Sequence, residues 1–139
     1  MMHSLITPVL IPGLLCTEEL FHDQLQALSD LAAGSPVIDE PKIADTLSHD
    51  SIGGMATAAL AATSGSVAAV GLSMGGHVAL EMARLAPDRV LGLALLSTSH
   101  KSDTTEKRQQ RMATIEMAET DKFRGVTRHL LGSFLSPAA

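Results

Sequence analysis

The chain has no tryptophan and no tyrosine, and only three phenylalanines among its 139 residues. Proteins that bind nucleic acids stack bases on aromatic rings and attract phosphates with positive charge. This chain offers few rings, and its formal net charge is -5 at pH 7. We therefore expect no nucleic-acid partner.

Cysteine and long apolar runs are also scarce. The one cysteine, Cys16, cannot form an internal disulfide, which favours a reducing compartment. The longest apolar runs, such as residues 90–96, fall far short of the ~20 residues that span a membrane. No lysine or arginine precedes Lys42, so the apolar N-terminus does not have the pattern of a secretory signal. We expect a cytoplasmic protein with no membrane partner.

The six histidines are too far apart for a metal-binding motif. They stand at positions 3, 22, 49, 77, 100 and 129. Zinc motifs in sequences place their ligands only a few residues apart. The sequence therefore predicts no metal site.

Strand-like and helix-like patterns alternate over the first hundred residues. Short apolar strands are predicted at 9–11, 37–38, 67–70 and 90–96. Three helices separate them, with start and stop signals at Thr17 and Gly34, at Asp50 or Ser51 and Gly65, and at Met74 and Pro87. Strands that are apolar on both faces and separated by helices indicate a parallel sheet with helices on both faces. The predicted fold class is α/β.

From Thr104 onward the pattern is purely helical, with a second helical segment around 123–134. The sequence thus predicts an α/β core over 1–100 and a helical segment over 101–139. The core carries three basic and ten acidic side chains, and the helical segment seven basic and five acidic. We favour a solvated surface for that basic excess over a docking site for an acidic carrier protein or a substrate carboxylate.

The stretch GLSMGG, residues 71–76, lies between the predicted third strand and third helix. A serine in a tight strand-to-helix turn is held in a strained backbone conformation that lifts its Oγ clear of the sheet. Gly71 and Gly75 allow strand and helix to approach without a Cβ clash. The N–H of Met74, at the helix N-terminus, then points toward negative charge that forms beside Ser73. The pattern predicts Ser73 as a nucleophile.

Other glycine-rich turns fit this stretch less well. A phosphate-binding loop requires G-x-x-x-x-G-K-[ST], and no lysine lies near Ser73. A dinucleotide fingerprint requires G-x-G-x-x-G, and these glycines are spaced differently. A turn with an incidental serine is the simplest alternative, and the position between a strand and a helix argues against it.

With these motifs in place, the sequence resembles the α/β-hydrolase superfamily, in particular its small bacterial esterase-like members. Two further stretches carry the resemblance. LIPGLLCTEELFHDQLQAL (10–28) is similar to the family's oxyanion loop and first helix. LAPDRVLGLALLSTS (85–99) is similar to the link from the nucleophile helix to the next strand. The resemblance covers essentially the whole chain.

The resemblance implies a hydrolase of a carboxylic ester or related acyl bond, with a small acyl substrate and no cofactor. Ser73 would be the nucleophile, and the backbone N–H groups of Leu14 and Met74 would form the oxyanion hole. Gly71 and Gly75 would be the glycines of the nucleophile elbow, which is the strand-to-helix turn around Ser73. A serine nucleophile excludes the haloalkane dehalogenase and epoxide hydrolase branches, which use aspartate. The helices after residue 103 would begin the lid.

One residue departs from the family pattern. Pro12 stands where most relatives carry histidine. Because backbone N–H groups, not side chains, would form the oxyanion hole in this loop, we expect the proline to have little effect on it.

The resemblance also implies a triad in the order Ser, acid, His, on loops after later strands. No strand is predicted after residue 96. His77 is expected to pack on its helix and His129 to be solvated, which leaves His100, with Asp103, as the one candidate base. We therefore expect a fragment that lacks the Asp and His of the triad and ends in the lid.

Strand 90–96 would lack a neighbouring strand on one side of the sheet. We therefore expect self-association or complementation through this edge.

A non-catalytic protein is the alternative to an enzyme. The chain would then be an acyl-binding or protein-interaction module that has retained the elbow.

Overall fold

The computed structural model describes residues 5–120. The chain divides into two compact units, Met1–His100 and Lys101–Ala139. The first unit alternates strands and helices, and a 3-10 turn (Glu18–Phe21) precedes its first α-helix. Its elements are β1 (Ile6–Ile11), α1 (His22–Ala33), β2 (Lys42–Ile43), α2 (Ile52–Ala61), β3 (Ser66–Leu72), α3 (Met74–Leu85) and β4 (Val90–Leu96).

The four strands form one parallel sheet in the order β2-β1-β3-β4. β1 lies inside the sheet, and its residues from Thr7 to Ile11 are all buried. Because successive side chains of a strand point to opposite faces, a strand buried at every position is covered on both sides. The prediction of an α/β fold with a parallel sheet is confirmed.

The main core lies between the sheet and two helices. Val9 and Ile11 of β1 and Val67 and Ala69 of β3 share one face of the sheet. Against this face pack buried side chains of α2 and α3: Met55, Ala56, Ala59, Leu60, Val78, Ala79 and Met82. The alanines leave room for close packing of the two helices. This packing fixes the first turn of α3 at the carboxyl end of β3.

The second strand does not lie where the sequence predicted it. Val37–Ile38 form only a single bridge to Ile6, whose N–H donates to the Val37 carbonyl at 2.9 Å and whose carbonyl accepts from the Asp39 N–H at 3.0 Å. Pro41 follows and has no N–H to continue the ladder. Regular pairing with β1 therefore begins only at β2, and the predicted placement is wrong.

The helix starts agree with the sequence in part. Ser51, not Asp50, caps α2, because its Oγ accepts a hydrogen bond from the Gly54 N–H at 3.2 Å. Thr17 makes no side-chain cap. Its carbonyl accepts from the Leu20 N–H at 3.2 Å, which closes a tighter 3-10 turn ahead of α1.

The second unit contains α4 (Thr105–Glu119). The Oγ1 of Thr104 accepts a hydrogen bond from the Lys107 N–H at 3.3 Å, so the helix begins where the sequence predicted. Asp103 forms an ion pair of 2.6 Å with Arg111. The predicted second helical segment at 123–134 lies outside the described residues.

Candidate active site

Ser73 alone links the end of β3 to the start of α3. Its backbone angles are φ 53° and ψ -113°. A non-glycine residue in such a region carries a strain of about 1–3 kcal/mol, and strain of this kind is concentrated at functional sites. The side chain is exposed. The turn thus presents a strained serine to solvent at the carboxyl end of the sheet.

The glycines around Ser73 occupy places where no side chain fits. A Cβ on Gly71 would lie 2.2 Å from the carbonyl oxygen of Gly75. A Cβ on Gly75 would lie 2.0 Å from the carbonyl oxygen of Ile11 in β1. Backbone therefore packs directly on backbone, and this geometry requires glycine at both positions, as the sequence predicted.

Thr98, in the segment after β4, contacts the same turn. The Ser73 N–H donates to the Leu96 carbonyl at 2.9 Å, and the Thr98 Oγ1 donates to the Ser73 carbonyl at 2.8 Å. A Cβ on Gly76 would lie 2.4 Å from the Thr98 methyl group. Neither Thr98 nor Gly76 was given a role from the sequence. No local signal marks Thr98, because its contact depends on the positive φ of 46° at Ser97 that turns the chain back.

The loop after β1 lies beside Ser73. A Cβ on Gly13 would lie 3.5 Å from the Ser73 Cβ, so the two backbones are in close contact. The Gly13 carbonyl accepts from the Cys16 N–H at 3.1 Å, and Leu15 has a positive φ of 61°. This tight turn holds Leu14 next to the elbow.

The backbone N–H groups of Leu14 and Met74 belong to the two segments next to Ser73, the loop after β1 and the start of α3. Within residues 5–120, neither donates a hydrogen bond to another protein group. Met74 is the first residue of α3, where N–H groups have no partner inside the helix and the helix dipole favours negative charge. Both residues also line one cleft. Two backbone donors without a protein partner among the described residues therefore border this cleft.

The cleft has a volume of about 360 Å³, within the range of small-molecule sites. It is bounded by the loop after β1, the start of α3, the β2–α2 loop and the start of α2. Its lining includes the apolar side chains of Leu14, Leu47, Ile52, Met55 and Met74. His49 also lines it and is half-buried. No local sequence signal marks His49, because its approach to the cleft depends on the fold of the β2–α2 loop.

Asp45 fixes the conformation of that loop. Its carboxylate accepts hydrogen bonds of 3.0 Å from the N–H groups of Leu47 and Ser48. The Ser48 hydroxyl, then these N–H groups and, to a smaller extent, the charge of His49, hold the pKa of Asp45 below its ordinary value. The hydrogen bonds keep Leu47 and His49 at the edge of the cleft.

The structure does not place a base on Ser73. The Ser73 Oγ makes no side-chain hydrogen bond in the part of the chain that is described. His77 is half-buried on α3, and His100 is exposed four residues beyond β4. His129 lies outside the described residues. Asp103, predicted to assist His100, is paired with Arg111.

Residues 5–120 contain neither a cluster of metal-ligating side chains nor a membrane-spanning helix. No three of their histidine, cysteine, aspartate or glutamate side chains are arranged to hold a metal ion. None of their helices is both long and apolar enough to cross a membrane.

A family model for the α/β-hydrolase fold matches residues 41–133, about two thirds of the chain. The matched segment includes the elbow at Ser73 and all of α4, and it begins after the loop that carries Leu14. None of the curated proteins compared with the chain matches it.

Proposed function

The chain belongs to the α/β-hydrolase fold family, and on that premise we propose that it is a serine hydrolase acting on a carboxylic ester or related acyl bond. The observation that supports this most directly is the backbone of Ser73, with φ 53° and ψ -113° and an exposed side chain. A strained, exposed serine at a strand-to-helix junction is the geometry that a nucleophile elbow requires.

The proposed reaction begins with attack of the Ser73 Oγ on the substrate carbonyl carbon. As the new C–O bond forms, the carbonyl electron pair moves to its oxygen, and a general base accepts the hydroxyl proton. The N–H groups of Leu14 and Met74 donate hydrogen bonds to this oxyanion. As the intermediate collapses, the carbonyl double bond re-forms, the bond to the leaving oxygen breaks, and the base returns its proton to that oxygen, so that the alcohol departs and an acyl-serine remains. Water then hydrolyses the acyl-serine by the same steps.

The base and the acid of the triad are proposed to lie outside residues 5–120. The support for this is that the Ser73 Oγ has no side-chain hydrogen-bond partner there. Loss of the base lowers turnover in a serine hydrolase by about a million-fold. His100 remains the candidate within the chain, since it follows the segment through which Thr98 contacts the elbow.

A fluorophosphonate probe tests the nucleophile, because it forms a stable bond to an activated serine. We expect slow labelling of the 139-residue chain at Ser73, and faster labelling when imidazole in the buffer supplies a base. Ser73→Ala should abolish the labelling. Ser97→Ala is the matched control, because Ser97 is also exposed and also has a positive φ. Labelling that survives Ser73→Ala, or that is absent even with imidazole, would contradict the proposal.

A non-catalytic acyl-binding module is the second candidate. The observation that favours it is the same lack of a side-chain partner on the Ser73 Oγ. Such a module would bind acyl ligands in the cleft and form no covalent bond at Ser73 with imidazole present. The labelling experiment therefore separates the two candidates.

A further inference from the structure

We propose that the cleft of about 360 Å³ beside Ser73 is the acyl pocket of this site and that it takes an uncharged, straight aliphatic chain of medium length. This inference rests on the proposed function, because it needs the substrate carbonyl to be held at Ser73. It assigns the β2–α2 loop and the start of α2 to substrate selection.

The position of the cleft determines which part of the substrate enters it. Leu14 and Met74, whose N–H groups are the proposed oxyanion donors, both form part of its wall. Gly13, whose backbone lies against Ser73, is a third wall residue. Ser73 lies next to this wall and is not part of it, so a carbonyl group held at Ser73 and the two donors borders the cleft and can extend one of its substituents into it.

The chemistry of the wall favours a neutral aliphatic group. Leu47, Ile52 and Met55 provide apolar surface away from the elbow. The lining residues of the described chain include no lysine or arginine, and Asp50 adds a carboxylate. A substrate carboxylate in this cleft would meet no lysine or arginine and would lie near the like charge of Asp50. The pocket therefore selects against acyl groups that end in a negative charge.

The volume indicates the approximate size of the chain. At about 30 Å³ for each non-hydrogen atom, the volume that a water molecule occupies in the liquid, the cleft holds about twelve such atoms. An acyl chain of up to about ten carbons therefore fits. Leu47 is 73% exposed at the rim, so a larger residue there would fill the cleft with little disturbance of the core.

The test uses the full chain and a series of methyl n-alkyl ketones from acetone to 2-undecanone, followed by NMR of backbone amides. The ketones carry the carbonyl and the chain but cannot be cleaved. We expect the Leu14 and Met74 amide signals to shift, with affinity rising about threefold to fourfold for each methylene until the cleft is full. Leu47→Trp should remove the dependence on chain length. Leu31→Trp is the control, because Leu31 is an exposed leucine on α1 away from the cleft.

Other outcomes would overturn the inference. Shifts at Leu14 and Met74 with equal affinity for all ketones would mean that the cleft is not the acyl pocket, while the proposed hydrolase would stand. Chain-length dependence with no shift at these two amides would place the alkyl site apart from the oxyanion donors and would also refute the inference. Failure of the proposed function itself is detected separately, by the absence of fluorophosphonate labelling at Ser73.

Discussion

The hydroxyl of Thr98 donates a hydrogen bond of 2.8 Å to the backbone carbonyl of Ser73. The Ser73 N–H donates to the carbonyl of Leu96, the last residue of β4, at 2.9 Å. The end of β4 and the segment after it therefore bind both backbone polar groups of Ser73. On the opposite flank, β1 lies against Gly75. Two neighbouring segments thus maintain a conformation that the serine would not adopt on its own.

Thr98→Val tests this support. The substitution keeps the shape of the side chain and removes the donor, so we expect a loss of about 1 kcal/mol in the free energy of unfolding by urea. Fluorophosphonate labelling of Ser73 should also slow. Thr57→Val is the control, because the Thr57 hydroxyl bonds only to the Gly53 carbonyl within α2. An equal loss in both variants would show that the Thr98 contact adds nothing specific to the turn.

Gly75→Ala should be strongly destabilising. The new methyl group would lie 2.0 Å from the carbonyl oxygen of Ile11, and backbone atoms on both sides would have to move. We expect a loss of about 3 kcal/mol or more in urea unfolding. Gly53→Ala, where nothing lies within 4 Å, should be neutral or stabilising by about 0.5 kcal/mol because alanine favours a helix. Similar effects at both positions would contradict the close approach of β1 and α3.

If the chain is labelled rapidly and stoichiometrically at Ser73 without added imidazole, His100→Ala should abolish that labelling. Its imidazole is the candidate base, and imidazole in the buffer should restore labelling in the variant. His77→Ala should change labelling only as far as it changes stability. Loss of labelling in His129→Ala alone would move the base to the segment outside the described residues and overturn this ranking.

β4 should mediate association between copies of the chain. It pairs only with β3 among the described strands, and Leu91, Leu93 and Leu95 are 60%, 43% and 40% exposed. The strand has no proline or charge to discourage pairing with another edge. We expect a marginally stable, self-associating chain in size-exclusion chromatography with light scattering. Leu91→Lys should reduce association, and Leu31→Lys, on α1, should not.

Amide exchange checks the same prediction from the backbone. The amides of residues 90–96 that do not bond to β3 should exchange quickly at low concentration and slowly once the chain associates. A stable monomer in which all of these amides exchange slowly would show that the edge is already covered.

The elbow could be predicted from the sequence because its requirements are local. Gly71, Ser73 and Gly75 stand at fixed spacing between an apolar run and a helical pattern, and this spacing is visible in the sequence even though Gly75 packs against the distant Ile11. The parallel sheet could be predicted for a similar reason, since a buried strand must be apolar on both faces.

Features that depend on residues distant in sequence were missed or misplaced. The apolar character of Val37–Ile38 predicts the second strand there, whereas pairing with β1 selects a lysine and an isoleucine after Pro41. Thr98 and His49 reach the site through loops whose course is fixed by Ser97 and Asp45. No period or motif encodes such contacts, because they arise only when the sheet has formed.

The positive φ of Ser73 makes the stability of the fold and the proposed chemistry favour different residues at this position. Glycine adopts a φ of 53° without strain, so Ser73→Gly should relieve about 1–3 kcal/mol of strain. The greater flexibility of glycine in the unfolded chain offsets roughly 0.5–1 kcal/mol of this, and urea unfolding should show a net gain of about 1 kcal/mol. A glycine would fold better and could not attack a carbonyl carbon. At position 73, therefore, the residue that favours folding is the one that abolishes the nucleophile, and a screen for thermal stability alone would select against the proposed activity.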